Sequence, residues 1–166
     1  NLVIERLVDA ARRGPDKVAL WDRGWHVMMF EDREKHALES LVMRMRAAQK
    51  EADAFEAMNA MGDHIQFVAR AHVERTVLEA FIAGIDECEP GEAREVLERL
   101  CTLYALQSIH DDRGWFLEHN RITPDRSKAV GAQLDALCRE LRPDALSIVE
   151  GLGIPKGWLH AAILED

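Results

Sequence analysis

Apolar side chains recur along this chain at three- and four-residue spacing in several long stretches, the period of helices with one face turned inward. From about Val27 to Lys50 the apolar positions are Phe30, Ala37, Leu38, Leu41, Met45 and Ala48. The charges Glu31, Asp32, Arg33, Glu34 and Lys35 between them read as a solvated face. A longer pattern follows through Phe55, Met58, Met61, Ile65, Val68, His72, Thr76, Ala80 and Ile85. Gly62-Asp63 interrupts it, and the unbroken phase predicts one kinked helix rather than two. Leu100 to Ile109 carries no charge at all, with Leu100, Cys101, Leu103, Tyr104, Leu106 and Ile109 pointing all round a helix. Such a helix is expected to be surrounded by others. It is predicted over Glu92–His119, turning polar at His110-Asp111-Asp112-Arg113 and then aromatic at Trp115-Phe116.

Thr123-Pro124 announces the next helix, with Thr as N-cap and Pro in the first turn. Its stripe runs Val130, Leu134, Leu137/Cys138, Leu141, Ala145, Ile148/Val149 and Leu152, holding phase through Pro143, which predicts a kink there. Gly151 and Gly153 end it and Ile154-Pro155 turns the chain. Short helices are expected at both ends, over Leu2–Arg13 (stopped by Gly14-Pro15-Asp16) and Trp158–Leu164. Between the first of these and Val27, Trp21, Gly24 and Trp25 suggest an ordered loop. Its tryptophans either cover the bundle's own flank or dock on a neighbouring domain. Residues 1–26 thus read as a short helix plus a Trp-containing connection. Residues 27–166 read as an all-α antiparallel bundle of about four long helices with short extra helices at both ends.

Composition narrows the function classes. At 166 residues the chain is one domain, long enough to bury roughly 70% of its extended-chain surface. Mean hydropathy is −0.23, and no apolar run reaches the roughly 18 residues of a membrane-span candidate. No secretion signal is visible at the N-terminus. A net charge of −9 disfavours nucleic acid, whose phosphates are neutralised by Lys and Arg. Cys88, Cys101 and Cys138 are odd in number and widely spaced, which argues against a disulfide framework and against paired zinc ligands. A reducing, cytoplasmic compartment follows. The preference for Arg over Lys points to a bacterial gene. The chain opens on Asn1 rather than Met, which suggests a fragment of a longer protein.

Candidate chemistry is sparse. Carboxylate di-metal bundles need Glu three residues before His so that both ligands aim inward. The residues at that offset are Arg23, Arg33, Met61, Ala69, Gln107, Phe116 and Gly157, none of them Glu. No HExxH, GxSxG, Walker loop or GxGxxG occurs. His72, on an apolar stripe, reads as a core histidine with a hydrogen-bond partner. His110, Asp111 and Asp112 offer an imidazole and two carboxylates, but adjacent helical residues point apart and do not converge unless the helix breaks. Glu118-His119 reads the same way, and the methionines read as core filler. No catalytic or metal-ligating residue is assigned.

The central stretch LCTLYALQSIHDDRGWFLEHNRIT (Leu100–Thr123), with LCRELRPDALSIVEGLGIP (Leu137–Pro155) after it, resembles the C-terminal helical domain of the peroxisomal-type acyl-CoA oxidases. The shared features are a Leu-Tyr-Ala-Leu run leading into an acidic-Arg-Gly-Trp-Phe-Leu segment, then a Leu-Arg-Pro-Asp-Ala helix leading into an Ile-Pro turn. The resemblance implies a flavoenzyme that oxidises fatty acyl-CoA to trans-2-enoyl-CoA and passes the electrons from FAD to oxygen, forming hydrogen peroxide. It implies that the catalytic glutamate and most flavin contacts belong to earlier domains, so FAD is expected in the full-length parent and none on this chain. The implied partners are the upstream flavin-binding domains and a second copy of the parent. No peroxisomal signal is visible at the C-terminus. Candidate interdomain contacts are Asp112, Arg113, Trp115, Phe116 and Glu118, where the buried helix meets its polar end. Two other readings stay open: a free-standing helical interaction module, and a small acid–base enzyme using His110 with Asp111 and Asp112.

Overall fold

A computed structural model describes residues 18–50, 53–155 and 158. The expected terminal helices, Leu2–Arg13 and Trp158–Leu164, lie outside the described residues, apart from Trp158 itself, which is exposed. The elements among the described residues are α1 (Arg23–Ala48), α2 (Ala54–Ala60), α3 (Gly62–Glu87), α4 (Glu92–Asp111), α5 (Arg113–Glu118), α6 (Pro124–Leu141), a 3-10 turn (Arg142–Asp144) and α7 (Ala145–Gly151).

The long helices form an antiparallel bundle. Arg23 at the start of α1 reaches Asp86 at the end of α3, and His64 near the start of α3 meets the Ala37 carbonyl, so α1 and α3 run oppositely. Asp112 at the end of α4 meets Arg70, while the Tyr104 hydroxyl donates to the Glu74 carbonyl one turn further along α3. Along α6 the chain returns over α4, with Gly131 against His110 and Asp144 beside Arg99. The core these faces enclose is centred on Phe30, Leu78, Ile85, Leu106, Ile109 and Phe116, all fully buried. At about 25 cal/mol per Å² of apolar surface removed from water, these side chains supply the main driving force for folding.

Local chemistry sets the helix ends. Asp22 caps α1 by accepting from the Trp25 amide at 2.6 Å, so α1 begins at Arg23. The predicted loop therefore ends earlier than expected. Trp25 is buried in the bundle's own core while Trp21 is 66% exposed. Asp53 caps α2 through the Phe55 and Glu56 amides, both at 2.9 Å. Thr123 caps α6 by accepting from the Arg126 amide at 3.1 Å, with Pro124 in the first turn, as expected. Pro143 produces the expected kink as a 3-10 turn, and Gly153 takes a left-handed φ of 62°. A second left-handed residue, Asn120 (φ 52°), closes α5. There the Arg121 amide bonds the Phe116 carbonyl at 2.8 Å and the Asn120 amide bonds that of Leu117 at 3.1 Å. This is a Schellman closure, with Asn tolerating what β-branched residues would not.

Two long helices predicted as continuous are divided. The ladder breaks at Met61, whose amide bonds Met58 in a tightened turn before Ile65 resumes on the Met61 carbonyl. Gly62, a weak helix former, follows the break. The second break, at Asp112, separates α4 from α5, and there the carboxylate is drawn sideways into other helices. The stripe positions also divide: Ala37 is buried, but Leu38 is 48% exposed. Helix α4 is only partly surrounded within this chain. Cys101, Ala105, Leu106 and Ile109 are buried, while Leu100, Leu103 and Tyr104 are half-buried on its other side.

Candidate functional site: a buried guanidinium and an apolar groove

Arg33 belongs to the segment expected to be a solvated face, yet its side chain is wholly buried. A guanidinium in a core needs counter-charges and acceptors, and although the buried Nε has no hydrogen-bond partner, both terminal nitrogens find a carboxylate. The structure supplies two carboxylates from other helices. One guanidinium nitrogen donates to Asp112 at 2.6 Å and the other pairs with Glu74. The rings of Phe30 and Phe116 lie 4.9 and 5.7 Å from its central carbon, distances at which a ring's negative face attracts a cation. Arg70, half exposed, bonds the same two acids from outside, Asp112 at 2.6 Å and Glu74 at 3.4 Å. Two cations and two carboxylates thus tie α1, α3 and the α4–α5 break together, charge against charge.

A second, more exposed network lies alongside. Glu34 pairs with Arg75 and accepts from His72 at 2.8 Å; the Arg75 guanidinium holds its carboxyl below the usual carboxylate range. The side chain of His72 is 58% exposed, so the core histidine expected there is elsewhere. The phase of α3 turns Ala71 and Leu78 inward and leaves His72 outside. The buried histidine among the described residues is His26, whose Nε2 lies 2.6 Å from the Leu20 carbonyl and donates to it. Burial pushes its pKa down.

The five candidate contact residues separate into two groups. Asp112 and Phe116 are committed inside the chain, as counter-ion and as ring under Arg33. Arg113 and Glu118 are exposed, and Trp115 is half-buried. The Trp115 indole is stacked on His119 (4.4 Å between centroids, 19° between planes) and meets the His36 ring edge-on at 5.4 Å. His119 Nδ1 sits 2.8 Å from the Trp115 carbonyl. The helix does break at Asp112, but His110, Asp111 and Asp112 still do not converge. His110 packs 3.6 Å from where a Cβ on Gly131 would lie, Asp111 accepts from Gln107 at 2.7 Å, and Asp112 faces the arginines. Arg33 escaped sequence reasoning because its acidic partners lie 41 and 79 residues away. The one local hint was an arginine three residues after a buried Phe.

On the far side of α4 an apolar groove of about 970 Å³ runs between α3 and α7. Its floor is Val96, Leu97, Leu100, Leu103 and Tyr104, and its walls are Phe81, Ile148 and Leu152. Burial pushes the Tyr104 hydroxyl's pKa up. The charged groups at the groove's rim among the described residues, Glu92, Asp111 and Asp144, are acidic. A dinucleotide's pyrophosphate is commonly held by Arg, Lys or a helix N-terminus; the groove has the acidic first turn of α4 at its edge, Glu92 and Ala93, and no Arg or Lys among its described lining residues. Among the described residues no three of His, Cys, Asp and Glu gather as a metal-ligand group, and no helix is long and apolar enough to cross a membrane.

A family model described as acyl-CoA oxidase matches residues 26–164. The chain is 34% identical over 131 residues to a mouse acyl-coenzyme A oxidase-like protein, covering 78% of this chain and 21% of that one. It is 26% identical over 144 residues to Arabidopsis thaliana peroxisomal acyl-coenzyme A oxidase 2, covering 87% and 21%. Its fold is similar to that of Caenorhabditis elegans acyl-CoA oxidase-2, a crystal structure bound with FAD, ascaroside-CoA and ATP. That similarity has a TM-score of 0.74 at 22% identity and covers 86% of this chain and 21% of that one. The chain therefore spans about a fifth of the length of each of these three proteins. These relatives are from animals and a plant, and one is named peroxisomal. They give no support to the expectation of a bacterial gene drawn from arginine usage, a signal of codon composition rather than of structure, nor to the cytoplasmic compartment drawn from the cysteines.

Proposed function

The chain belongs to the acyl-CoA oxidase family, and we propose on that premise that it forms the C-terminal helical domain of an FAD-dependent oxidase. The parent would convert fatty acyl-CoA and oxygen to trans-2-enoyl-CoA and hydrogen peroxide. The observation that carries this reading is a family match over residues 26–164 in a chain that spans only 21% of its mouse relative. A bound flavin accepts the two electrons removed from the acyl chain. Flavin binding is assigned to the rest of the parent, because among the described residues the groove is apolar with acidic borders and no Lys or Arg.

The role left to this chain is support. Arg113, Glu118 and the accessible part of Trp115 are the residues offered to the preceding domains or to a second copy of the parent. Asp112 and Phe116 hold that end in place from within. Rigid presentation of this kind is what a domain-packing surface requires, because ordering it on contact would cost binding free energy.

The test compares two proteins. The full-length parent should carry a flavin absorbance and release peroxide in proportion to 2-enoyl-CoA when given long-chain acyl-CoA, and the 166-residue chain alone should do neither. Peroxide formation by the isolated chain would sink the support role. A flavin-free, inactive full-length parent would sink the oxidase reading. Peptide mapping of the native protein across Asn1 separates the remaining alternative, because a free-standing helical module has its own start close to that residue.

A further inference from the structure

We propose that the groove between α3, α4 and α7 is a second docking surface. Its occupant is an amphipathic helix with basic flanks from the preceding part of the same polypeptide. The inference rests on the reading above, in which most of the parent lies outside this chain.

Three observations carry it. The first is an unfinished element. Helix α7 has no buried residue among its seven, and on its groove side Ile148 is only half-buried while Leu152 just beyond it is 66% exposed. A helix this short has no stability of its own and depends on packing of an apolar face, and here the groove side of that face is left partly exposed. The second is shape. The floor follows α4 from Ala93 to Gln107, a length of about 20 Å at 1.5 Å per residue, enough for three to four turns of a partner helix. Phe81 stands on one side and Ile148 with Leu152 on the other, as two ridges beside a slot that accepts a third helix.

The third observation is charge. Among the described residues, Glu92, Asp111 and Asp144 border the groove and no Lys, Arg or His lines it. Asp144 has a partner in Arg99 at 3.4 Å, while Asp111 accepts from the neutral Gln107 amide at 2.7 Å and feels the Arg70 charge from further off. An occupant with Lys or Arg beside its apolar ridge gains from this field, and an acidic one is repelled. The CoA part of an acyl-CoA, carrying phosphates, does not match such a rim. A second copy of this chain, itself at net charge −9, is disfavoured on the same ground. The small, apolar end of α7 and the acidic border thus select one kind of partner, and about four fifths of the relatives' length lies outside this chain to supply it.

The test is cysteine protection in the full-length parent. Leu152→Cys places a thiol on the groove wall and Glu118→Cys one at the α5 end, with the native Cys138, exposed on α6, as internal reference. Maleimide labelling of Leu152→Cys should be at least tenfold slower than that of Cys138. A short bifunctional crosslinker from the same thiol should join a peptide upstream of this chain that carries Lys or Arg. Replacing Glu92 and Asp111 by Gln and Asn together should speed the labelling of Leu152→Cys. Rapid labelling of Leu152→Cys overturns the inference. If Glu118→Cys is protected in the same protein, the domain-packing reading still stands; if both label freely, that reading fails too. A crosslink from Leu152→Cys to the same peptide of a second copy also overturns the inference, by naming a different occupant.

Discussion

Replacing Arg33 by Met removes the charge at the centre of the bundle while keeping most of the side chain's volume. The guanidinium is fully buried and serves Asp112 and Glu74, whose side chains are only 10% and 19% exposed. Taking one partner from a buried ion pair ordinarily costs about 3–5 kcal/mol, because the other charge remains without compensation. Arg70 moderates this here, since it already touches both acids and is 47% exposed. The expected loss is therefore at the low end, about 3 kcal/mol. For a domain of this size that corresponds to a fall in Tm of roughly 6–12 °C.

Urea unfolding followed by far-UV circular dichroism measures the loss directly, and an unchanged m-value would show that the denatured state has not shifted. Arg33→Lys should also be destabilising, because one ammonium cannot fork between two carboxylates as a guanidinium does. The combined variant Arg33→Met, Glu74→Leu, Asp112→Leu should recover most of the stability, since the only charge it leaves unpaired, that of Arg70, is half exposed to water. A loss below about 1 kcal/mol for Arg33→Met would refute the reasoning, since a value that small is what exposed ion pairs contribute. Failure of the triple variant to recover would show that the ring contacts with Phe30 and Phe116, not the charges, hold this centre.

Two further outcomes are expected. Burial holds His26 below its ordinary value of 6.5, so the unfolded chain takes up this proton first as the pH falls. Its contribution is fully present above about pH 6.5 and is lost on acidification through the lower folded value. His26→Gln should flatten the stability profile between pH 7 and pH 5, and an unchanged profile would mean that the ring does not stay neutral in the fold. Thr123→Ala removes the side-chain oxygen that accepts from the Arg126 amide. It should cost about 1 kcal/mol in urea unfolding, with faster amide exchange in the first turn of α6, and Thr123→Ser should restore most of it.

Much of the fold was readable because its signals are local. Thr123 caps the Arg126 amide three residues on, and Pro124 needs only the first turn, so a short stretch of sequence specifies the start of α6. The Val130, Leu134, Leu137, Leu141 stripe identifies its buried face by period alone. The Leu100–Thr123 and Leu137–Pro155 stretches were sufficient to suggest the family. What the sequence could not specify was which face meets which neighbour. Arg33 looked solvated because its own segment is rich in charge; it is buried because folding brings Glu74 and Asp112 to it from two other helices. His72 looked buried because apolar residues flank it in the helical period, and it is outside because α3 turns Ala71 and Leu78 inward instead. Helix α4 looked enclosed, and within this chain only part of its circumference is. Periodicity reports that a face is apolar, a property of one helix. Burial of a charge, the breaks at Met61 and Asp112, and the open groove beside α7 are decided by the balance of desolvation and pairing between helices, which exists only once they are packed.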